Sequence, residues 1–314
     1  MRAASLALVV GLVGVCRFVE ARESASFDAL TRGQAALENQ QMAAAEPHSQ
    51  LPAMAAFRQS AETVKYTSGE YSLPGYLYRP AGKGPFPAVI WNHGSERNPK
   101  AQPELARFYT QRGYVFFVPI RHGHGRAPGT YIGSLQEEFR AHERDPAAIQ
   151  KKIVGLHEVY NRDVVAAVAW LKEQKVVDPN RIVMSGVSYG GIQTVLTAEK
   201  GLGIRAFVPF APAAMSFANE ALRERLVIAV HHAKAPMFLL QAKNDYSTGP
   251  SELLAPILKE KGSPSHAKVY PAFGITPQEG HGAFACWSLG ITNWGEEVMQ
   301  FIDEAMKARP QQNP

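Results

Sequence analysis

Residues 181–191 read RIVMSGVSYGG, an apolar run that ends in the pattern Gly-x-Ser-x-Gly around Ser188. The run predicts a buried strand, and the residues after Gly190 predict a helix. A sharp turn between strand and helix needs small residues on both sides of the serine, because the turn strains the backbone of the residue at its tip. This stretch therefore predicts a nucleophilic serine, with its hydroxyl exposed at the edge of a sheet.

Strand-like apolar runs alternate with helical stretches along the rest of the chain. The predicted strands cover residues 73–79, 86–92, 114–120, 181–185, 204–210, 236–241 and 267–271. The predicted helices cover residues 102–112, 155–175, 190–200, 250–261 and 293–308. Strands that alternate with helices of this length form βαβ units. The predicted fold class is therefore α/β, with a mostly parallel sheet and helices on both faces.

The chain has 314 residues, of which 46% are hydrophobic and 19% charged, and this composition excludes a disordered or fibrous protein. We predict one core domain over residues 63–308, preceded by a leader helix and linker over 22–62. A short tail follows at 309–314. The connection at 129–153 is longer than a normal loop between strand and helix. Two interpretations stay open for it: a lid or insertion near a site, and a solvated surface helix.

The N-terminus has the pattern of a secretory signal peptide. Arg2 precedes an apolar run from Ala3 to Val15, and small or aliphatic residues stand at Val19 and Ala21, where a signal peptidase acts. The run has about 13 residues, fewer than the roughly 20 that span a bilayer, so we expect no stable membrane span. The prediction is a signal peptide over 1–21 and a secreted or periplasmic protein.

Two further features narrow the chemistry. Cleavage after Ala21 removes Cys16 and leaves Cys286 alone, so we expect no intramolecular disulfide. A buried free thiol at Cys286 is favoured over a thiol nucleophile.

The formal net charge is +5, but the longest basic run is only Lys151 with Lys152. Nucleic-acid binding needs clustered cations or a recognisable module, so we expect no nucleic-acid partner.

A serine hydroxyl needs a base within hydrogen-bond reach and a carboxylate that orients this base. Four histidines follow Ser188 in the chain. His281 comes after a predicted strand, in a loop with glycine on both sides, and active sites of parallel sheets lie at the carboxyl ends of the strands. His266 precedes that strand, and His231 and His232 lead into an earlier one, so all three belong to the opposite edge. The candidate base is therefore His281.

The orienting acid and the oxyanion donors follow from the same order of strands. Asp245 comes just after the predicted strand 236–241, before the histidine, as the order acid then histidine requires; the alternative for it is an Asx turn. The oxyanion needs two backbone N–H donors, and we assign them to Tyr189, after the nucleophile, and to Ser95, after an early strand. His93 is expected to orient that loop rather than to act as a base.

At these positions the chain resembles the α/β-hydrolases, and most closely the dienelactone hydrolase-like branch that is also similar to the catalytic domain of prolyl oligopeptidases. The likeness covers about residues 63–308. It is carried by Leu77 to Pro80, Gly84 to Pro87, Asn92 to Gly94, Gly123 to Arg126, Asp163 to Leu171, Asp178 to Ile182, Gly186 to Gly191, Asp245 and His281. The family's triad maps onto Ser188, Asp245 and His281. The resemblance implies a hydrolase that acts on a small-molecule ester without a cofactor.

The chain departs from its relatives in three respects, one of which is a long loop from Gly274 to Gly280 before His281 that would line the entrance. Alternatives to the serine hydrolase stay open. Dienelactone hydrolases proper use cysteine as the nucleophile, whereas this chain has Ser188, which implies ester chemistry. Prolyl oligopeptidases carry a propeller that this chain lacks, so the exclusion of large peptides by a propeller is not expected here. Because of the resemblance, a peptidase of that type nevertheless stays open as an alternative. A metal hydrolase built on His93, His122 and His124 is disfavoured, because further ligands in a compact motif are missing. The last alternative is a non-catalytic binding module, since fold does not imply function.

Overall fold

The computed structural model describes residues 61–307. Its strands are β1 (Glu62–Ser68), β2 (Tyr71–Tyr78), β3 (Phe86–Asn92), β4 (Val115–Pro119), β5 (Val177–Val187), β6 (Ala206–Phe210), β7 (Phe238–Ala242) and β8 (His266–Tyr270). Its α-helices are α1 (Pro103–Thr110), α2 (Ile132–His142), α3 (Pro146–Lys172), α4 (Tyr189–Ala198), α5 (Glu220–His231), α6 (Gly249–Glu260), α7 (Phe284–Cys286) and α8 (Ser288–Lys307). The predicted signal peptide, the leader as far as residue 60 and the tail at 309–314 lie outside the described residues.

All eight strands form one sheet in the order β1-β2-β4-β3-β5-β6-β7-β8. Strand β2 runs antiparallel to both of its neighbours, β1 and β4. The other strand pairs are parallel. The predicted fold class, an α/β protein with a mostly parallel sheet, is therefore confirmed.

The sheet has an apolar core on each face, because successive side chains of a strand point to opposite faces. In β3, Ala88 and Ile90 contribute to one core, whereas Val89 and Trp91 contribute to the other. The first core also contains buried side chains of α3, α4, α5 and α6. The second contains those of α1 and α8. Helices thus cover both faces, and the carboxyl ends of β3 to β8 are left to carry loops.

Strand β1 and helix α5 are present although the sequence analysis did not predict them, as is the short helix α7. Strand β1 has few buried side chains, so it lacks the apolar run that marked the other strands. Helix α5 does carry a helical signal, with Leu222, Leu226 and Ala229 buried. The side chain of Asn219 caps it by accepting a hydrogen bond from Leu222 N at 2.9 Å, as N-cap residues do. Strand β1 pairs with β2, and α5 packs into the first core.

The connection at 129–153 is largely helical. It contains α2 and the start of α3, which begins at Pro146 rather than at the predicted residue 155. Asp145 caps α3, because its side chain accepts a hydrogen bond from Ala147 N at 3.0 Å. In α2 only Ile132 is fully buried, and Leu135 and Phe139 are partly buried against the first core. Among residues 61–307, no helix is both long and apolar enough to cross a membrane.

Candidate active site

Ser188 lies at the sharp turn between β5 and α4. Its backbone has φ 57° and ψ −117°, a left-handed conformation that is strained for a residue with a side chain. Its neighbours must be glycines: a Cβ on Gly190 would lie 1.9 Å from the carbonyl oxygen of Asn92, and one on Gly186 would lie 2.6 Å from the same oxygen. The turn thus packs directly against the end of β3, and the strand, turn and helix expected from the sequence are present.

Asp245 and His281 are brought together at the same edge of the sheet. The Nδ1 of His281 donates to Oδ1 of Asp245 at 2.8 Å, and both side chains are buried. A carboxylate oxygen can only accept, so the imidazole carries its proton on Nδ1. Nε2 is then the basic nitrogen of His281. This tautomer is the one that a base activated by a carboxylate requires.

The buried side chain of Gln241, in β7, holds the other oxygen of Asp245. Gln241 Nε2 donates to Asp245 Oδ2 at 3.0 Å and to Ser247 O at 2.9 Å. Gln241 Oε1 accepts from Ser251 N at 3.1 Å and from Ser251 Oγ at 2.6 Å. Because a backbone N–H can only donate, Ser251 fixes which end of the amide faces Asp245. Sequence analysis missed this residue, although it stands four positions before the acid.

The loop that carries His281 is hydrogen-bonded to the loop that carries Asp245. Asn244 Nδ2 donates to Phe273 O and Thr276 O, each at 2.9 Å, and Asn244 Oδ1 accepts from Phe273 N at 2.8 Å. His281 follows in a π-helical turn, Glu279–Ala283. A Cβ on Gly280 would lie 2.6 Å from Asn244 Oδ1. Glycine at this position therefore lets the loop of His281 approach the loop of Asp245.

The two assigned oxyanion donors flank Ser188. The N–H of Tyr189 belongs to the first turn of α4, where helix amides point outward and favour negative charge. The loop of Ser95 follows β3, and Gly94 faces the serine: a Cβ on Gly94 would lie 3.8 Å from Ser188 Cβ. Tyr131 Oη donates to Ser95 O at 2.6 Å. The end of β3 is thus held close to Ser188.

Of the three histidines of the metal alternative, His93 and His124 are in ring contact, with centroids 4.8 Å apart, whereas His122 pairs with a carboxylate. His122 Nδ1 pairs with Asp163 Oδ2 at 2.6 Å, and the ring of His122 stacks on Tyr160. His93 Nε2 accepts from the backbone N–H of Arg121 at 3.2 Å. Among residues 61–307, no three or more His, Cys, Asp or Glu side chains are grouped so that they could hold a metal ion. The geometry thus offers the metal alternative no site in this part of the chain.

Burial disfavours the charged forms of three histidines and of the Cys286 thiol. It lowers the pKa of His93 well below its usual value, and lowers the pKa of His124 and of His157 to about 3, because the interior disfavours the imidazolium. Burial also raises the pKa of the Cys286 thiol, and an unionised thiol is a poor nucleophile. Cys286 is free, as expected, but it is half-buried rather than fully buried. His231 and His232 are exposed at the end of α5.

This sheet order, with a serine at the strained turn after β5 and a paired histidine and aspartate after later strands, defines the class of the protein as an α/β-hydrolase. A model of the dienelactone hydrolase family matches residues 73–285. The match spans more than half of the chain, and the chain belongs to the dienelactone hydrolase family. The resemblance noted in the sequence is therefore confirmed.

Solved structures show the same fold at low sequence identity. The acylaminoacyl peptidase of Pyrococcus horikoshii is similar with a TM-score of 0.59 and 16% identity, and the match covers 81% of this chain and 43% of that one. Esterase 2 of Thermogutta terrifontis, phosphoramylated by tabun, is similar with a TM-score of 0.53 and 19% identity, over 78% of this chain and 94% of that one. No curated protein matches the chain.

Proposed function

We propose that this protein is an exported serine hydrolase that cleaves a small-molecule carboxylic ester through an acyl-enzyme. Ser188 is the nucleophile, His281 the base and Asp245 the acid that orients the base. The hydrogen bond of 2.8 Å from His281 Nδ1 to Asp245 Oδ1 carries the proposal. It leaves Nε2 as the basic nitrogen, at the sheet edge where Ser188 stands. The matched hydrolase family supports the assignment.

The reaction takes place in two halves. Ser188 Oγ attacks the ester carbonyl while its proton passes to His281 Nε2, and the N–H groups of Ser95 and Tyr189 bind the oxyanion. The bond to the alcohol then breaks, and His281 returns the proton to the leaving alkoxide. Water attacks the acyl-enzyme, gives its proton to His281, and the carboxylic acid leaves as Ser188 regains its hydrogen. Asp245 stabilises the imidazolium in both halves.

A peptidase is the second candidate, because the acylaminoacyl peptidase of Pyrococcus horikoshii is similar in fold. The two functions share the mechanism and differ in the leaving group, which is an alcohol or an amine. Hydrolysis of a matched pair of substrates, an ester and an anilide of one acyl group, separates them. We expect turnover of the ester and little of the anilide.

The proposal is tested by labelling with a fluorophosphonate, which reacts with activated serines. We expect one adduct, which peptide mapping places on Ser188, and we expect Ser188→Ala to abolish both labelling and ester hydrolysis with its fold intact. Ser185→Ala is the matched control, since this serine is buried in β5 and donates to Val208 O. Hydrolysis by Ser188→Ala, or an adduct on Ser95, would contradict the assignment.

Export is the part of the proposal that depends on the N-terminal sequence. We expect the protein recovered from an exporting host to begin near residue 22, after cleavage that follows Ala21. N-terminal sequencing or intact mass measures this directly. Recovery with Met1 in place would argue against export.

A further inference from the structure

A buried arginine holds the carbonyl groups of the loop after β3. Arg121 is 1% exposed and follows the end of β4, which pairs in parallel with β3. Its Nη2 donates to His93 O at 2.8 Å and to Gly94 O at 2.7 Å. Its backbone N–H donates to His93 Nε2, which leaves the proton of His93 on Nδ1, facing Gly94 O at 2.9 Å. Arg121 thus contacts this loop through both its side chain and its backbone.

These contacts set the direction of an N–H group that the proposed function uses. Gly94 O and Ser95 N–H belong to one trans peptide unit, in which the carbonyl and the N–H point in opposite directions. When Arg121 and His93 hold the carbonyl, the N–H of Ser95 points away from them. The orientation of this donor is therefore fixed before substrate binds, as efficient oxyanion stabilisation requires.

The same guanidinium reaches the second donor segment. It lies over the ring of Tyr189, with Cζ 4.5 Å from the ring centroid, a favourable cation–π arrangement. Within residues 61–307, Arg121 Nε and Nη1 have no hydrogen-bond partner. A charge buried with part of its donors unused is costly for stability. Arg121 lies between Gly94 and Tyr189, and we attribute its retention to its contacts with the two segments that carry the oxyanion donors.

We infer that Arg121 is a positioning residue of the oxyanion hole, which aligns the Ser95 donor through the Gly94 carbonyl and packs over the side-chain ring of Tyr189, the residue that carries the second donor. The inference rests on the proposed function. Arg121 acts on the transition state and not on the substrate in its ground state, so its loss affects kcat rather than KM.

The experiment compares wild type with Arg121→Lys and Arg121→Met, using a chromogenic short-chain ester and an aryl trifluoromethyl ketone. The ketone adds to the serine and places an oxyanion in the same hole. We expect kcat to fall about 10- to 100-fold in Arg121→Met, less than the full loss of a donor, with KM changed by less than about threefold. The inhibition constant of the ketone should rise in parallel with the loss of kcat/KM, and Arg121→Lys should lie in between.

Arg225→Met is the matched control. Arg225 is a partly buried arginine of α5 that donates to Glu158 at 2.7 Å and also to Glu199, so its loss should lower the melting temperature and leave kcat unchanged. If Arg121→Met does not fold, Arg121→Lys, which keeps the buried charge, decides the outcome. The inference would be overturned by unchanged kcat and ketone inhibition in the folded Arg121 variants, or by a rise in KM with kcat unchanged. Either outcome would leave the proposed function standing. Wild type that neither hydrolyses esters nor is labelled at Ser188 would overturn both.

Discussion

Asp245 is surrounded by three donors. His281 Nδ1 and Tyr246 N donate to its Oδ1, and Gln241 Nε2 donates to its Oδ2. An asparagine must place its NH₂ group against a donor in either orientation, which costs hydrogen bonding and favours the wrong tautomer of His281. We expect Asp245→Asn to lower kcat by roughly 10³- to 10⁴-fold.

Steady-state kinetics with a chromogenic ester measure this loss. The matched control is Asp303→Asn, since Asp303 is exposed on α8, and its kcat should equal that of wild type. A loss below about tenfold in Asp245→Asn would mean that another carboxylate orients the base.

Gln241 offers a test through pH. In Gln241→Glu a second carboxyl group faces Asp245 Oδ2, and once it ionises its charge favours the imidazolium form of His281. The acid limb of the kcat/KM profile should therefore move to higher pH, by on the order of one unit. Gln241→Leu removes the donor without adding charge and should lower kcat with a smaller shift. Equal profiles for Gln241→Glu and wild type would show that Gln241 does not act on the pair.

Helices α3 and α4 respond in opposite ways to the same change of glycine to alanine. Gly155 is an exposed position inside α3, where a Cβ meets nothing within 4 Å, so Gly155→Ala should stabilise the protein by about 1 kcal/mol. Gly190 lies in the first turn of α4, and a Cβ there meets the backbone of β3. This backbone cannot move aside as a flexible side chain can. Gly190→Ala should therefore destabilise the protein by about 3 kcal/mol, the upper end of the range for overpacking.

Urea unfolding of the two variants beside wild type gives both free energies. Stability equal to wild type in Gly190→Ala would contradict the tight approach of α4 to β3. A destabilised Gly155→Ala would show that α3 makes a contact at this position.

The whole molecule should lose stability as the pH falls below neutral. Burial lowers the pKa of His93, His124 and His157 in the folded state, whereas in the unfolded chain each has a pKa near 6.5. The unfolded state therefore binds more protons, and the stabilisation, complete above pH 6.5, is lost progressively as the pH falls below that value. Between pH 7.5 and 5.5 the expected loss is about 1.4 kcal/mol for each histidine, or about 4 kcal/mol in all.

Urea unfolding at pH 7.5, 6.5 and 5.5 measures this dependence. His157→Leu should remove about one third of the loss, whereas His232→Leu, at an exposed position, should leave it unchanged. A free energy of unfolding that stays constant over this range would show that the folded state binds as many protons as the unfolded state, which contradicts the lowered pKa values.

The sequence by itself determined the parts of this protein that local patterns encode. The apolar run before Gly186 and the glycines around Ser188 predict a strained turn, because only glycine tolerates the close approach of β3 at those positions. Chain order and the alternation of strands and helices then pointed to Asp245 and His281, since parallel strands place their carboxyl ends at one edge. Periodicity also predicted most strands, as it is set by residues close in sequence.

Only the tertiary structure decided which distant groups meet. Arg121 and Gly94 are 27 residues apart, and Asp245 and His281 are 36 apart. Strand β1 is held by its pairing with β2 rather than by apolar residues of its own. The direction of a hydrogen bond and the tautomer of a buried histidine depend on the partner that folding brings near, and no local pattern encodes that partner. The order of the sheet therefore places Arg121 and Gln241 next to the candidate site.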